Sequence, residues 1–153
     1  MHIFDVSDYI AVKLNEGGAY LNVLKLHKLL YYVQSWGLAF GEGEVFEGKF
    51  QAWVHGPVNR EVYDRYCSTK SMYSTVGIDD IRTDFDPNNL PEKKRAVIDS
   101  VLEVYADYTG DQLEEMTHRE DPWINARSGL SPAARSARFI SEEDMERFYK
   151  ARL

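Results

Sequence analysis

The stretch VLKLHKLLYYVQSWGLAF (Val23–Phe40) limits the folds open to this chain more than any other feature. Val23, Leu26, Leu30, Val33, Gly37 and Phe40 recur at alternating steps of three and four, and Leu29, Tyr32 and Trp36 form a second row beside them. A stripe that wide with a 3.6-residue period predicts a long, mostly buried helix. The stretch has no proline, and Leu and Lys favour helix. Asn22 is the predicted N-cap and Gly41 the predicted stop. Lys25, His27 and Lys28 supply the polar side. A helix this apolar needs cover on more than one face, which makes it the centre of a single core.

A chain of 153 residues suits one domain, and folding buries roughly 70% of the unfolded surface at this size. The single cysteine, Cys67, has no internal partner for a disulfide, and nothing resembles a secretory signal peptide. Both features predict a cytoplasmic protein. Lys25, His27, Lys28 and Gln34 interrupt the most apolar run, so no membrane span is expected. The net charge of -7 disfavours broad contact with a phosphate backbone, and no nucleic acid is expected as a partner. It suits either a basic partner or simple solubility. Ten Tyr, seven Phe and three Trp exceed what a small core hides easily, so some are expected at a groove or interface.

The rest of the chain reads as further helices with a small β-element. A first helix is predicted over 5–15, with Ser7 as cap. Phe50, Ala52 and Val54 alternate with Lys49, Gln51 and Trp53 as a half-exposed strand, for which 41–47 could be the partner. His55-Gly56-Pro57-Val58 then breaks the strand and starts a helix whose buried edge is Val58, Val62 and Tyr66. The polar segment 68–90 shows no clear element. A second long helix is expected over 91–108, capped by Asn89. Thr109 and Gln112 form a capping box, Asp121-Pro122 opens another short helix, and Ser141 caps a terminal helix bearing Met145, Phe148 and Tyr149. The predicted fold is mainly α: one compact helical domain, residues 1–153, around a central buried helix with a two-stranded β-element.

Signals for chemistry are thin. The sequence has no Gly-rich phosphate loop, no GxSxG and no HExxH. His55 and His118 with Asp64 or Asp121 are the residues from which a metal site could be assembled in space, but their spacing is not that of a ligand set. No cofactor, metal or catalytic residue is predicted. Cys67 ends a helix, where the dipole does not favour a thiolate, and it reads as a buried or incidental thiol. Arg127, Arg135 and Arg138 form an acid-free stretch that reads either as a solvated basic edge or as an anion contact. Lys25 and Lys28 either snorkel from a buried helix or line a binding groove. Trp53, His55 and Tyr63 flank the Gly-Pro break and serve either packing or an interface.

Three ordered stretches carry a family resemblance: KLHKLLYYVQSWGLAF (Lys25–Phe40), FQAWVHGPVNREVY (Phe50–Tyr63) and LEEMTHREDPWINAR (Leu113–Arg127). They resemble the Panacea domain of SocA-like and GepA-like bacterial and phage-associated proteins. Its pattern is a KLxKLLYY helix, an AWxxGPVxxxVY turn and LxxxTHxxxPWxxAR. Lys25, Leu26, Lys28, Leu29, Leu30, Tyr31 and Tyr32 match the first part. Ala52, Trp53, Gly56, Pro57, Val58, Val62 and Tyr63 match the second. Leu113, Thr117, His118, Pro122, Trp123, Ala126 and Arg127 match the third. His55 departs from the bulky or aromatic residue common before Gly-Pro. The helix-turn-helix segment of some members is not expected here, nor is autoregulation through DNA. The resemblance implies a non-enzymatic antitoxin of a bacterial or prophage toxin–antitoxin pair, binding a cognate toxin encoded next to it. Delivery of the toxin to a cellular protease is the alternative, and a small His- and carboxylate-dependent enzyme a more distant one. The predicted partner-contacting residues are Lys28, Tyr32, Trp53, His55, Tyr63, His118, Trp123 and Arg127.

Overall fold

The central apolar stretch is a helix in the computed structural model, which describes residues 1–153. In chain order the elements are α1 (Ile3–Glu16), α2 (Val23–Ala39), β1 (Gln51–Trp53), β2 (Gly56–Val58), α3 (Arg60–Tyr66), α4 (Glu92–Tyr105), α5 (Gly110–His118), α6 (Asp121–Ala126) and α7 (Glu142–Lys150). Single 3-10 turns occur at Ile78–Asp80 and Pro87–Asn89. The fold is mainly α, as predicted, with one small antiparallel sheet. Helices α1, α4, α5 and α7 all pack on α2. One apolar cluster runs from Ile3 and Ile10 of α1 to Met145 and Tyr149 of α7, so both ends of the chain share a core with the centre.

Asn22 caps α2 by accepting a hydrogen bond from the Lys25 N–H at 2.8 Å. The polar side predicted for this helix does not face water: Lys25, His27, Lys28 and Gln34 are all buried. Each is bonded by a segment that docks on it, as buried polar groups require, although His27 Nε2 is left without a partner. Lys25 Nζ donates to the Tyr20 carbonyl at 2.8 Å and also to that of Ala106. Lys28 Nζ donates to the Pro57 carbonyl at 3.0 Å. His27 Nδ1 accepts from the Asn59 N–H at 3.3 Å. Gln34 donates to the Phe46 carbonyl at 2.9 Å and accepts from the Val45 N–H at 3.0 Å. These polar positions therefore set where the following loops dock. Gly37 lets one of them come close, because a Cβ there would lie 2.5 Å from Val45 Cγ2.

Several boundaries differ from expectation. Helix α1 begins at Ile3, with His2 as cap: its Nδ1 accepts from the Phe4 N–H at 3.1 Å. Ser7 is instead buried within the helix and donates to the Ile3 carbonyl. Helix α4 has no side-chain cap, Asn89 lies in a 3-10 turn, and Tyr108 is exposed beyond the helix end. The Thr109–Gln112 capping box and the Ser141 cap form as predicted. At α6 the cap position is Glu120 rather than Asp121, and the Glu120 side chain turns inward instead of capping.

The β-element is the largest correction. The partner of β1 is β2, not 41–47, and Gly56–Val58 is a strand rather than a helix start. The register is Gln51↔Val58, Ala52↔Pro57 and Trp53↔Gly56, so Val54 and His55 form a two-residue turn. Gly56 has φ +93°, a backbone that side chains other than glycine rarely adopt. Helix α3 starts only after Asn59, whose side chain accepts from the Val62 N–H. The other edge of β1 is taken by the segment near Phe139: Ala52 N–H donates to the Arg138 carbonyl and Ile140 N–H to the Phe50 carbonyl, both at 2.8 Å. Segment 68–90 is held by buried charge. Asp8, on α1, accepts from Arg65 at 2.8 Å and from Arg82 at 2.6 Å.

Candidate functional site

The β1–β2 hairpin is gripped through its own backbone carbonyls. Arg127, buried just beyond α6, donates to the Ala52 carbonyl at 2.8 Å. Its other nitrogen donates to the carbonyls of Ser131, Pro132 and Ala134. Trp123 Nε1 donates to the Trp53 carbonyl at 2.8 Å. Lys28, on α2, donates to the Pro57 carbonyl of the other strand, β2. The Arg127 guanidinium lies over the Trp123 ring at 5.1 Å, and the His118 ring stacks on that ring at 4.2 Å. A Cβ on Gly56 would lie 2.7 Å from Lys28 Cε and 2.9 Å from Thr117 Oγ1, so the turn packs down on α2 and α5. The hairpin has little core of its own. Donors from α2, α6 and the residue after α6 fix its position, and donors are what exposed strand carbonyls need.

The ground beneath the hairpin is electrostatically unusual. Burial pushes the Lys28 amine down to about 7, and only the Glu114 carboxylate pulls it back up. Burial also lowers His118, against the pull of Glu114. His27 is driven well below its ordinary range by complete burial, with the Lys28 charge adding to the effect. His55 Nδ1 lies 3.4 Å from Glu114 Oε1, an ion-pair distance without a hydrogen bond. No group of three or more His, Cys, Asp or Glu side chains is placed to hold a metal ion. Asp64 pairs with Arg60 at 3.2 Å and is not gathered with the two histidines.

Tyr32 belongs to a second buried cluster. Its hydroxyl donates to Glu120 at 2.7 Å, and the Tyr149 hydroxyl donates to the same oxygen at 2.8 Å. Tyr105 stacks on Tyr32 at 4.2 Å and accepts from Trp36 Nε1 at 3.0 Å. Burial raises Glu120, while the two tyrosine hydroxyls hold it down. This cluster ties α2, α4, α7 and the start of α6 together. Neither Glu120 nor Glu114 stands out in the sequence, since carboxylates are common there and neither sits at a diagnostic spacing.

The predicted contact residues thus divide by exposure. Lys28, Tyr32, Trp123 and Arg127 are buried and His118 is half-buried; Lys28, His118, Trp123 and Arg127 lie behind or beside the hairpin, and Tyr32 sits in the Glu120 cluster. Trp53 and Tyr63 are half-buried and His55 is exposed. These three line one groove of about 560 Å³ together with Arg60, Arg135 and Ala137. The Trp53 and Tyr63 rings meet at 5.0 Å, and Arg60 lies over Tyr63 at 5.4 Å. No carboxylate lines the groove, although Asp64 pairs with Arg60 from the side. Lys28, Glu114 and His118 do not open into it. Arg127 is not part of a solvated basic edge, because carbonyls consume its donors. Arg135 and Arg138 are exposed. Cys67, expected to be buried or incidental, is exposed at the end of α3.

Aromatic walls with cationic ends and no acid suit a protein segment carrying apolar and acidic side chains. Residues 26–124 match the family model described as antitoxin SocA-like, Panacea domain. No curated protein and no solved structure matches the chain.

Proposed function

The chain belongs to the SocA-like antitoxin family defined by the Panacea domain, and on that premise we propose that it neutralises a cognate toxin by binding it directly. One observation carries this reading: all three family stretches converge on the hairpin, and the face they hold in place is an aromatic groove free of carboxylates. Trp53, His55 and Tyr63 touch the toxin. Lys28, Tyr32, His118, Trp123 and Arg127 act behind that face by holding it in shape. The action is stoichiometric binding without catalysis, in the cytoplasm, with the toxin encoded by the adjacent gene. No helix is long and apolar enough to cross a membrane, which is compatible with that compartment. The working domain is the whole of residues 1–153, because α1 and α7 contribute to the same core as the matched region.

Co-expression with the neighbouring gene, followed by purification on a tag, tests the proposal. Growth rescue together with a stable complex supports direct neutralisation. Rescue with a shortened toxin half-life and no inhibitory complex supports delivery to a protease instead. A harmless neighbour and no recovered partner overturn the antitoxin reading.

A further inference from the structure

β1 is hydrogen-bonded along both edges, although only β2 is a strand and the contact at Phe139 is a single β-bridge. Its first edge pairs with β2, and its second pairs with the segment around Phe139 through the Ala52–Arg138 and Ile140–Phe50 hydrogen bonds. In that antiparallel pattern Gln51 and Phe139 face each other as a non-hydrogen-bonded pair. The N–H and C=O of Phe139 therefore point away from β1. The ladder ends just before it, since the Arg138 N–H donates to Ser136 Oγ and the Ala52 carbonyl accepts from Arg127, and the N–H and C=O of Ala137 lie beyond that end. None of these four groups has a hydrogen-bond partner within the chain. The edge is open, and the Phe139 side chain beside it is 61% exposed. Unpaired edges of this kind accept another strand unless something blocks them; this one is short and flanked by the exposed Arg135 and Arg138, which oppose a basic strand and admit an acidic one.

We propose that this open edge receives an extended, acidic segment of the toxin as an added strand. The proposal rests on the toxin-binding reading and names the mode of contact. Addition of a strand supplies main-chain hydrogen bonds for affinity and alternate side chains for specificity. Ala137, two residues before Phe139, lines the groove with Trp53 and Tyr63, so a segment added at Phe139 and continued past it runs along the groove. Charge selects an acidic segment. Arg135 is exposed and has no ion-pair partner, and Arg138 bonds only to the Ser128 carbonyl. No acid occurs from Pro122 through Ser141 in a chain whose net charge is -7. A second copy of this chain would bring an excess of negative charge as well as the same basic edge, and it is the competing occupant.

Hydrogen exchange of the full chain, alone and with the purified product of the adjacent toxin gene, tests the assignment. Alone, the amides of Ala137 and Phe139 exchange rapidly, while those of Ala52 and Ile140 are protected. In the complex, Ala137 and Phe139 become protected at least tenfold. Phe139→Lys weakens the complex at least tenfold with unchanged thermal unfolding, whereas Ile78→Lys, on an exposed remote turn, has no effect. A stable complex in which 137 and 139 still exchange rapidly overturns the edge assignment and leaves the antitoxin reading intact. Protection that grows with the concentration of the chain alone assigns the edge to self-pairing and overturns it too. Absence of both rescue and complex removes the antitoxin reading, and this proposal falls with it.

Discussion

Lys28 shows how one residue can serve a fold at an electrostatic cost. Its amine sits at about 7 when folded, because burial penalises the charge, against about 10.4 when unfolded. Between those values the unfolded chain holds more protons, so the penalty on folding is complete below about pH 7 and is relieved as pH rises. The stability gap between the wild type and Lys28→Met should therefore shift in favour of the wild type by on the order of 2 kcal/mol from about pH 7.5 to 9.5. Urea unfolding of both proteins across that range measures it, and a constant gap would show that the amine keeps its ordinary value. His27, also depressed by burial, adds a loss of stability as pH falls through about 6.5. Gly56 gives the second residue-level prediction. Gly56→Ala combines positive φ with a close approach to Lys28 and Thr117, and should cost about 2–4 kcal/mol. Gly41→Ala has positive φ but open space around it and should cost about 1 kcal/mol. Thermal or urea melts of the two variants separate crowding from backbone strain. Side-chain type alone does not reveal this. Lys28 reads as a polar-face lysine until Pro57 is known to sit above it.

At the scale of elements, the hairpin depends on neighbours more than on itself. Arg127 alone serves carbonyls of Ala52, Ser131, Pro132 and Ala134. Arg127→Met keeps much of the apolar stem but removes every donor, and should destabilise by about 3 kcal/mol. Arg127→Lys should recover only part of that, because a single ammonium does not reproduce the planar fork. Comparing the three melts tests the clamp; equal stability would show the carbonyls find other donors. The helical elements were legible because α2 and α4 carry long periodic stripes, and Asn22, Thr109 and Ser141 signal the starts of α2, α5 and α7. The hairpin was not, because Gly-Pro after a short alternating run suits a helix start as well as a strand. What decides between them is the Lys28 and Trp123 contacts, distant in sequence. Segment 68–90 was opaque for a similar reason: ion pairs of Arg65 and Arg82 with Asp8 hold it, and no local pattern announces them. The three family stretches come together around the hairpin, yet most of the contact residues predicted from them lie behind the exposed face.

At the scale of the molecule, the core extends past the matched family region. Met145, Phe148 and Tyr149 of α7 are buried against α2 and the Glu120 cluster. A chain ending at residue 140 should lose cooperative unfolding, because it uncovers one side of the central helix; circular dichroism melts would show a broad, shallow transition. An intact sharp transition would confine the folding unit to the earlier helices. The -7 charge then makes the carboxylate-free groove a local exception, and that contrast underlies the assignment of the binding face. The most direct test is the affinity of the purified chain for the product of the adjacent gene, the proposed toxin, measured for wild type, Trp53→Ala and Tyr63→Ala. The account predicts at least a tenfold loss in each variant, about 1.4 kcal/mol or more, with the melting temperature nearly unchanged. Wild-type affinity in folded variants of both residues would contradict it and move the binding face elsewhere.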